Sequence, residues 1–436
     1  MKDLKIYGAI KKYAELNSVR FHMPAHKGKK FLSFNAKYDI TELAAIDNAK
    51  VVESAEKDCA EILGAKKVLF LTGGSTSGIL SAVYAVKDKG KKIIINRSAH
   101  KSVYNALKLF NIEPVILDDD REKITPEQIL RTFKEEKEAF AALLTYPDYF
   151  GRVFDIKGIK SVCESSGKIL IIDGAHGNHF KFIGLPYAGQ IADISVESLH
   201  KTAYSFNQGA IICVNRENLF ERVKEGTEVF LTTSPSYPLL ASIEYGIKRQ
   251  AKDNKRTQKI IGQIKKAKKA LINNGIKILS AEDPFKITVL TDSIGFNGLK
   301  LAEILEKKNI FAELTGEKEI LFMFSPANTG REIKKLVKTL LKAVKNDKNA
   351  PFIAEKQILT ERKRVMPYLK AVNSEYEFTP VENVKGKICA ENFGIIPPCS
   401  PLFIAGELVN TDVADKLKNG ETFGVYGGKV KTVKVK

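Results

Sequence analysis

The chain has 436 residues, 44% of them hydrophobic, enough for a large core divided over two or three domains. Its formal charge is +19, yet only 12 of its 70 basic residues are arginine, the lysines are scattered, and tryptophan is absent. With no interleaving of aromatic and basic residues, that pattern describes a solvated lysine-rich surface and argues against nucleic acid as a partner.

Residues 3–16 carry Leu4, Tyr7, Ala9, Ile10, Tyr13, Ala14 and Leu16 at the spacing of an amphipathic helix. The preceding residues are charged and lack the apolar segment of a signal peptide, and no later run approaches the ~20 apolar residues of a membrane span. A loop at 21–28 contains His22, His26 and Lys27. From there to about residue 230, strand-like runs at 68–71, 92–95, 115–117, 141–144, 169–172, 191–196 and 210–214 alternate with helical patterns. Thr125-Pro126-Glu127-Gln128 is a typical helix start, with a cap residue, proline at the first helical position and glutamine at the third. This rhythm predicts a mostly parallel sheet covered by helices. A long helical stretch spans 238–274, with Ile260, Ile264, Ala267 and Leu271 on one stripe. Asn273-Asn274-Gly275 ends it. A smaller α/β unit is expected beyond: strands at 286–290, 311–314 and 320–324, and helices at 297–308 and 330–346. The expected division is an N-terminal helix and arm (1–30), a large domain (31–275) and a C-terminal α/β domain (276–436). Five cysteines, an odd number with no C-x-x-C spacing, read as reduced thiols of a cytoplasmic protein.

Three segments of the large domain carry chemistry. Thr72-Gly73-Gly74-Ser75-Thr76-Ser77-Gly78 turns from a strand into a helix. Free N–H groups and hydroxyls there make an anion site, although no Gly-Lys-Ser/Thr closes it as a nucleotide loop would require. Asp173-Gly174-Ala175-His176-Gly177 and Ser198-Leu199-His200-Lys201-Thr202 each follow a buried strand. An acid and a lysine at the C-terminal ends of successive strands can meet in one crevice. That is what pyridoxal phosphate needs: a lysine for the Schiff base and an acid for the pyridine nitrogen. All six histidines (His22, His26, His100, His176, His179, His200) fall in or beside such segments. Zinc is the rival for such a set, but no helical His-x-x-x-His pair appears and no metal is expected.

These motifs resemble the ornithine/lysine/arginine decarboxylase family, the group with the aspartate-aminotransferase-like fold, over nearly the whole chain. Ser198-Leu-His-Lys-Thr202 is close to the family's Ser-x-His-Lys-Thr. Asp173-Gly-Ala-His-Gly177 is close to Asp-Glu-Ala-His-Gly. Gly74-Ser75-Thr76, His100-Lys101-Ser102 and Thr233-Ser-Pro-Ser-Tyr237 match further family segments. The resemblance implies a pyridoxal-phosphate-dependent transferase-like fold (fold type I), with Lys201 holding the cofactor, Asp173 on the ring nitrogen and His100 stacked on the ring. It puts Ser75, Thr76, Ser198 and His200 on the phosphate, Ala175 beneath the ring and His176 near the 3-hydroxyl. Thr233 or Ser234 would reach a partner subunit's phosphate in a homodimer. The implied reaction is decarboxylation of arginine, lysine or ornithine for polyamine synthesis, with His26, Lys27, Glu313 and Cys399 as candidates for substrate contact. An aminotransferase-like reaction is the alternative, disfavoured by the scarcity of arginine beyond residue 275. A basic nucleic-acid-binding protein with a relic enzyme fold is the more distant one. The departures are Met23, Ala25, Gly174 and Ile396-Pro-Pro-Cys-Ser-Pro401, which stands for Tyr-Pro-Pro-Gly-Ile-Pro.

Overall fold

The computed structural model describes residues 4–15, 36–40, 47–118, 123–346, 363–396, 399–414, 417 and 421–434. The large domain is built on seven strands: β1 (Lys67–Leu71), β2 (Lys92–Asn96), β3 (Glu113–Leu117), β4 (Ala139–Thr145), β5 (Ile169–Asp173), β6 (Ile194–Ser198) and β7 (Ala210–Val214). Their order is β1-β7-β6-β5-β4-β2-β3. The strands from β3 across to β6 run parallel, while β7 lies antiparallel to both its neighbours. The sheet is therefore mostly parallel, as the strand–helix rhythm requires. β5, β6 and β7 are buried at every residue, which is what a sheet covered on both faces imposes.

One face carries α1 (Lys5–Glu15), α2 (Asn48–Leu63), α5 (Pro126–Glu135), α6 (Ile156–Ser165) and α11 (Tyr237–Lys252). α3 (Gly74–Val86), α4 (Lys101–Leu109) and α10 (Phe220–Phe230) cover the other. One-turn helices α7 (Phe180–Ile183), α8 (Ala188–Ile191) and α9 (Leu199–Thr202) line the strand ends. The strand expected from residue 191 begins at 194, because 188–191 close into α8 first. α1 is anchored through its free N–H groups: those of Lys5 and Ile6 donate to the buried Glu244 carboxylate at 2.8 and 3.0 Å.

The long helix expected over 238–274 is two helices. α11 ends at Lys252, and α12 (Asn254–Asn273) starts after Asp253. The stripe of Ile260, Ile264, Ala267 and Leu271 does not close the large domain. It packs into a second core with α13 (Gly298–Glu306), α14 (Gly330–Asn346) and the antiparallel sheet β8 (Lys286–Leu290), β9 (Leu314–Thr315) and β10 (Glu319–Met323). The packing thus changes near residue 253, ahead of the division expected at 275.

The region after 275 also differs from a single α/β domain. Beyond α14 the described residues form α15 (Tyr368–Val372) and two small sheets. One contains β11 (Tyr376–Pro380), β15 (Val425–Tyr426) and β16 (Lys429–Val433), and the other β12 (Phe393–Ile396), β13 (Pro401–Phe403) and β14 (Glu421–Phe423). They share a core of Val381, Val384, Phe393, Phe403 and Val430. This unit docks on the large domain through Tyr368, Ile404 and Ala405. Arg97, just past β2, makes a buried two-point ion pair with Glu407, the Nη2–Oε2 contact being 2.8 Å.

The Arg97–Glu407 pair yields a stability prediction. Glu407→Ala strands a buried guanidinium and should destabilise the protein by about 3–5 kcal/mol, whereas joint replacement of both residues by apolar ones of similar volume should cost much less. Chemical denaturation of the two variants checks this.

Candidate active site

The site lies where β1, β5 and β6 end. α3 starts two residues after β1 and runs close over β6. A Cβ on Gly78 would stand 2.5 Å from Val196 Cγ1 and 2.6 Å from Leu71 Cδ1, so only glycine lets the helix approach. That approach brings Ser75, in the first turn of α3, onto the last residue of β6: Ser198 Oγ donates to Ser75 Oγ at 2.9 Å. Thr76 follows, exposed. The first-turn N–H groups, the helix dipole and two hydroxyls together form a place for a phosphate. Gly74 N–H is taken by Gln208 O at 3.0 Å, which fixes the turn.

β6 passes into α9, which carries His200 and Lys201. His200 Nδ1 bonds the Gly209 carbonyl at 3.2 Å. Lys201 Nζ lies 3.3 Å from His176 Nε2. Asp173 closes β5, 3% exposed, and its carboxylate accepts one hydrogen bond among the described residues, from Ala175 N–H at 3.2 Å. His100 caps α4, its Nδ1 accepting from Ser102 N–H at 3.1 Å.

Burial dominates the electrostatics. It raises the Asp173 carboxyl, against the pull of Lys201 and the Ala175 N–H. It lowers the His100 imidazole to about 4, with Lys201 and Lys101 adding to the effect. It pushes His176 well below the usual histidine range, helped by Lys286 and Lys201. His200 is lowered too. The three imidazoles are therefore neutral at pH 7.

Two features ask for a further group. Among the described residues, the buried Asp173 carboxylate has no cationic hydrogen-bond donor and the buried His176 Nδ1 has no hydrogen-bond partner. Buried polar atoms are rarely left so. A planar ligand offering an N–H⁺ to Asp173, a hydroxyl near His176, an aldehyde to Lys201 and a phosphate to α3 meets each of these, and pyridoxal phosphate has all four. Among the described residues no cluster of three or more His, Cys, Asp or Glu is set to hold a metal ion.

The remaining expected residues are less central. Glu313 is exposed, and the Tyr149 hydroxyl donates to it at 2.9 Å. The Tyr149 ring stands edge-on to His176, centroids 5.2 Å apart, so Glu313 connects to the site through Tyr149. Cys399 lies against the start of α4, its carbonyl accepting from Lys101 N–H at 3.0 Å; burial raises its thiol, while Lys101 and Lys201 oppose the rise. Thr233 and Ser234 sit on the exposed loop between α10 and α11. His26 and Lys27 lie outside the described residues.

Sequence reading missed Tyr149, Lys286 and Glu197. Glu197 is fully buried and accepts from Asn178, Tyr187 and Ser195 at 2.9, 2.8 and 3.0 Å. A carboxylate directly after the apolar Val196 and before the lysine-bearing segment was the signal that could have found it. Tyr149 carries no such mark.

A family model described as "Orn/Lys/Arg decarboxylase, major domain" matches residues 5–282, more than half of the chain. The uncharacterized protein YaaO of Bacillus subtilis is 29% identical over 94% of this chain and 93% of its own length. An arginine decarboxylase of the same organism is 28% identical, covering 94% and 92%. Among solved structures, the Escherichia coli constitutive lysine decarboxylase superposes with a TM-score of 0.78 at 18% identity, covering 99% of this chain and 82% of that one, which shows a shared fold.

The low His100 value generates a titration prediction. His100 should stay neutral down to about pH 4, and Lys201→Ala should move its midpoint upward by removing a nearby positive charge. Because its folded value lies below the usual 6.5, its contribution to stability is full above that pH and is lost as pH falls through 4. Histidine NMR titrations of both proteins check the midpoints.

Proposed function

The chain belongs to the Orn/Lys/Arg decarboxylase family, and from that premise we propose that it decarboxylates a basic amino acid (arginine, lysine or ornithine) with pyridoxal phosphate, giving the amine for polyamine synthesis. One observation carries the reading. The Lys201 amine and the buried Asp173 carboxylate stand at the ends of adjacent parallel strands, the lysine 3.3 Å from a neutral histidine.

When bound, pyridoxal phosphate supplies an electron sink for the pair left when the Cα–carboxylate bond breaks. The chain's own residues do the rest. Lys201 Nζ would hold the cofactor covalently. Asp173 would pair with the protonated ring nitrogen, whose charge would offset the cost of a carboxylate buried among apolar strands. His100 and Ala175 would pack against the ring and exclude water, His176 would hold the 3-hydroxyl, and Ser75, Thr76, Ser198 and His200 would hold the phosphate. The amino acid takes up one proton and loses CO₂, leaving the amine. Lys201 Nζ and His176 Nε2 are the pair that hold this proton for Cα.

The distal cation of the substrate calls for an acid at the outer wall. Glu313, steadied by Tyr149, supplies it. The family relative named an arginine decarboxylase supports a guanidinium among the candidates. The exposed Thr233 and Ser234 suit a homodimer in which they complete the phosphate site of the second subunit, in a cytoplasmic enzyme. Among the described residues no helix is long and apolar enough to cross a membrane.

Three measurements test the reading. Protein reconstituted with pyridoxal phosphate should show a visible absorption band that Lys201→Ala abolishes; a colourless reconstituted wild type refutes the proposal. Asp173→Ala should weaken cofactor binding by about tenfold or more, since a hydrogen bond to a charged group contributes roughly 1.5–3 kcal/mol. CO₂ release should occur with at least one of arginine, lysine and ornithine. For that substrate Glu313→Gln should raise KM by about tenfold with little change in kcat, the signature of lost uniform binding.

A further inference from the structure

The seam between the large domain and the β8–β10 unit holds a second lysine of the site. Lys286 opens β8 and is 2% exposed. Its Nζ donates to the main-chain carbonyls of Tyr149 at 2.7 Å and Asp148 at 3.3 Å, and lies 5.8 Å from the centre of the Tyr149 ring. Three residues earlier, Asp283 is fully buried. Its Oδ1 accepts from His179 Nε2 at 2.9 Å, and its N–H donates to Gly151 O at 3.0 Å. Gly151 has φ +90°, and a Cβ there would stand 2.7 Å from Asp283 Cβ, so the two chains touch at main-chain distance. Residues 283–286 of the small unit thus grip residues 148–151 of the large one.

What is gripped matters for the site. The Tyr149 ring packs edge-on against His176, His176 lies 3.3 Å from Lys201, and the Tyr149 hydroxyl orients Glu313. We propose that Lys286 is a positioning residue for the reaction: it pins the main chain at Asp148–Tyr149, so that the Tyr149 ring seats His176 beside Lys201 and the hydroxyl holds Glu313. Lys286 reaches the reacting atoms only through Tyr149. An apolar residue at the first position of β8 would fill the space but take the lysine donor from the Tyr149 carbonyl, leaving only the Gly151 N–H on the Asp148 carbonyl.

The seam carries its own pH signature. Lys286 faces Asp148, Tyr149, Asp283, Glu313, His176 and Lys201. Burial pulls its ammonium down to about 8, with Lys201 adding to the fall and Asp283, Asp148 and Glu313 opposing it. The ordinary value is 10.5. An opening that returns Lys286 to water therefore takes up a proton between these two values. The closed seam gains stability as pH rises from about 8 towards 10.5, and loses it as pH falls through 8.

Hydrogen exchange of the holoenzyme at pH 7.5 and 9.5, corrected for intrinsic rates, tests this without knowledge of the substrate. Protection of the 148–151 amides should rise severalfold with pH in the wild type. In Lys286→Met it should be lower and independent of pH, while the amides of β4 and β5 keep their protection. For whichever basic amino acid is turned over, kcat/KM of Lys286→Met should fall about tenfold, a loss of roughly 1.4 kcal/mol in transition-state stabilisation. Flat wild-type protection at 148–151 across this pH range overturns the proposal. So does a Lys286→Met protein whose exchange and kcat/KM match the wild type. Should that variant fail to fold, the wild-type pH series still decides.

Discussion

A carboxylate buried at the end of β5 with a single hydrogen bond sets the terms for the large domain. Asp173 has lost its water and has no cationic donor bonded to it, so the fold holds it at a cost that a charged partner removes. Lys201 on α9, at the end of the next strand, acts on it through its charge. Everything nearby keeps that crevice dry and its imidazoles neutral: His100 and His176 are both forced below the ordinary histidine range by burial first and by lysine charge second. A parallel sheet is what makes this possible. Its strand ends lie side by side, and the helices that follow begin with free N–H groups pointing the same way.

The second constraint is the seam. Only one wall of the crevice belongs to the large domain. The other is built by the β8–β10 unit through Asp283, Lys286 and Glu313, and the C-terminal sheets add Cys399 beside the start of α4. The ion pair of Arg97 and Glu407 ties those sheets to the end of β2, three residues before His100. The site is thus assembled from three packing units, each fixed to the large sheet by a buried charge with a partner.

Much of this was legible in the sequence, and the failures have physical causes. β7 and β8 fall within their expected bounds because buried strands are continuous apolar runs, and α14 because its stripe is regular over many turns. Asp173 and Lys201 were legible because strand ends are marked by abrupt polarity. The break at Asp253 was not, since α11 and α12 are both helical in pattern and differ only in which core they face. Nor were the two small sheets formed by β11–β16, whose short strands are too brief for a clear period. Tyr149 and Lys286 act through contacts between residues 137 apart, and no local pattern announces such a pair.

The departures from the family pattern gain a physical sense. At Gly174 a Cβ would stand 3.2 Å from Glu197 Cγ and 3.3 Å from Val196 O. The space that the family's glutamate would need is filled by another glutamate, one strand over, held by three neutral donors. Asn178 ties the loop bearing Ala175 and His176 to β6. Cys399 stands where the family pattern has glycine. Its φ is +62°, a region that costs a side chain roughly 1–3 kcal/mol, and two main-chain bonds to Ile395 and Lys101 hold it there. Ser400 adds a third tie, to Ser98 O at 2.7 Å. Both changes preserve the loops that bear the chemistry and alter the side chains that face it. A cofactor site can tolerate that, because its ligands come from strand ends and helix starts.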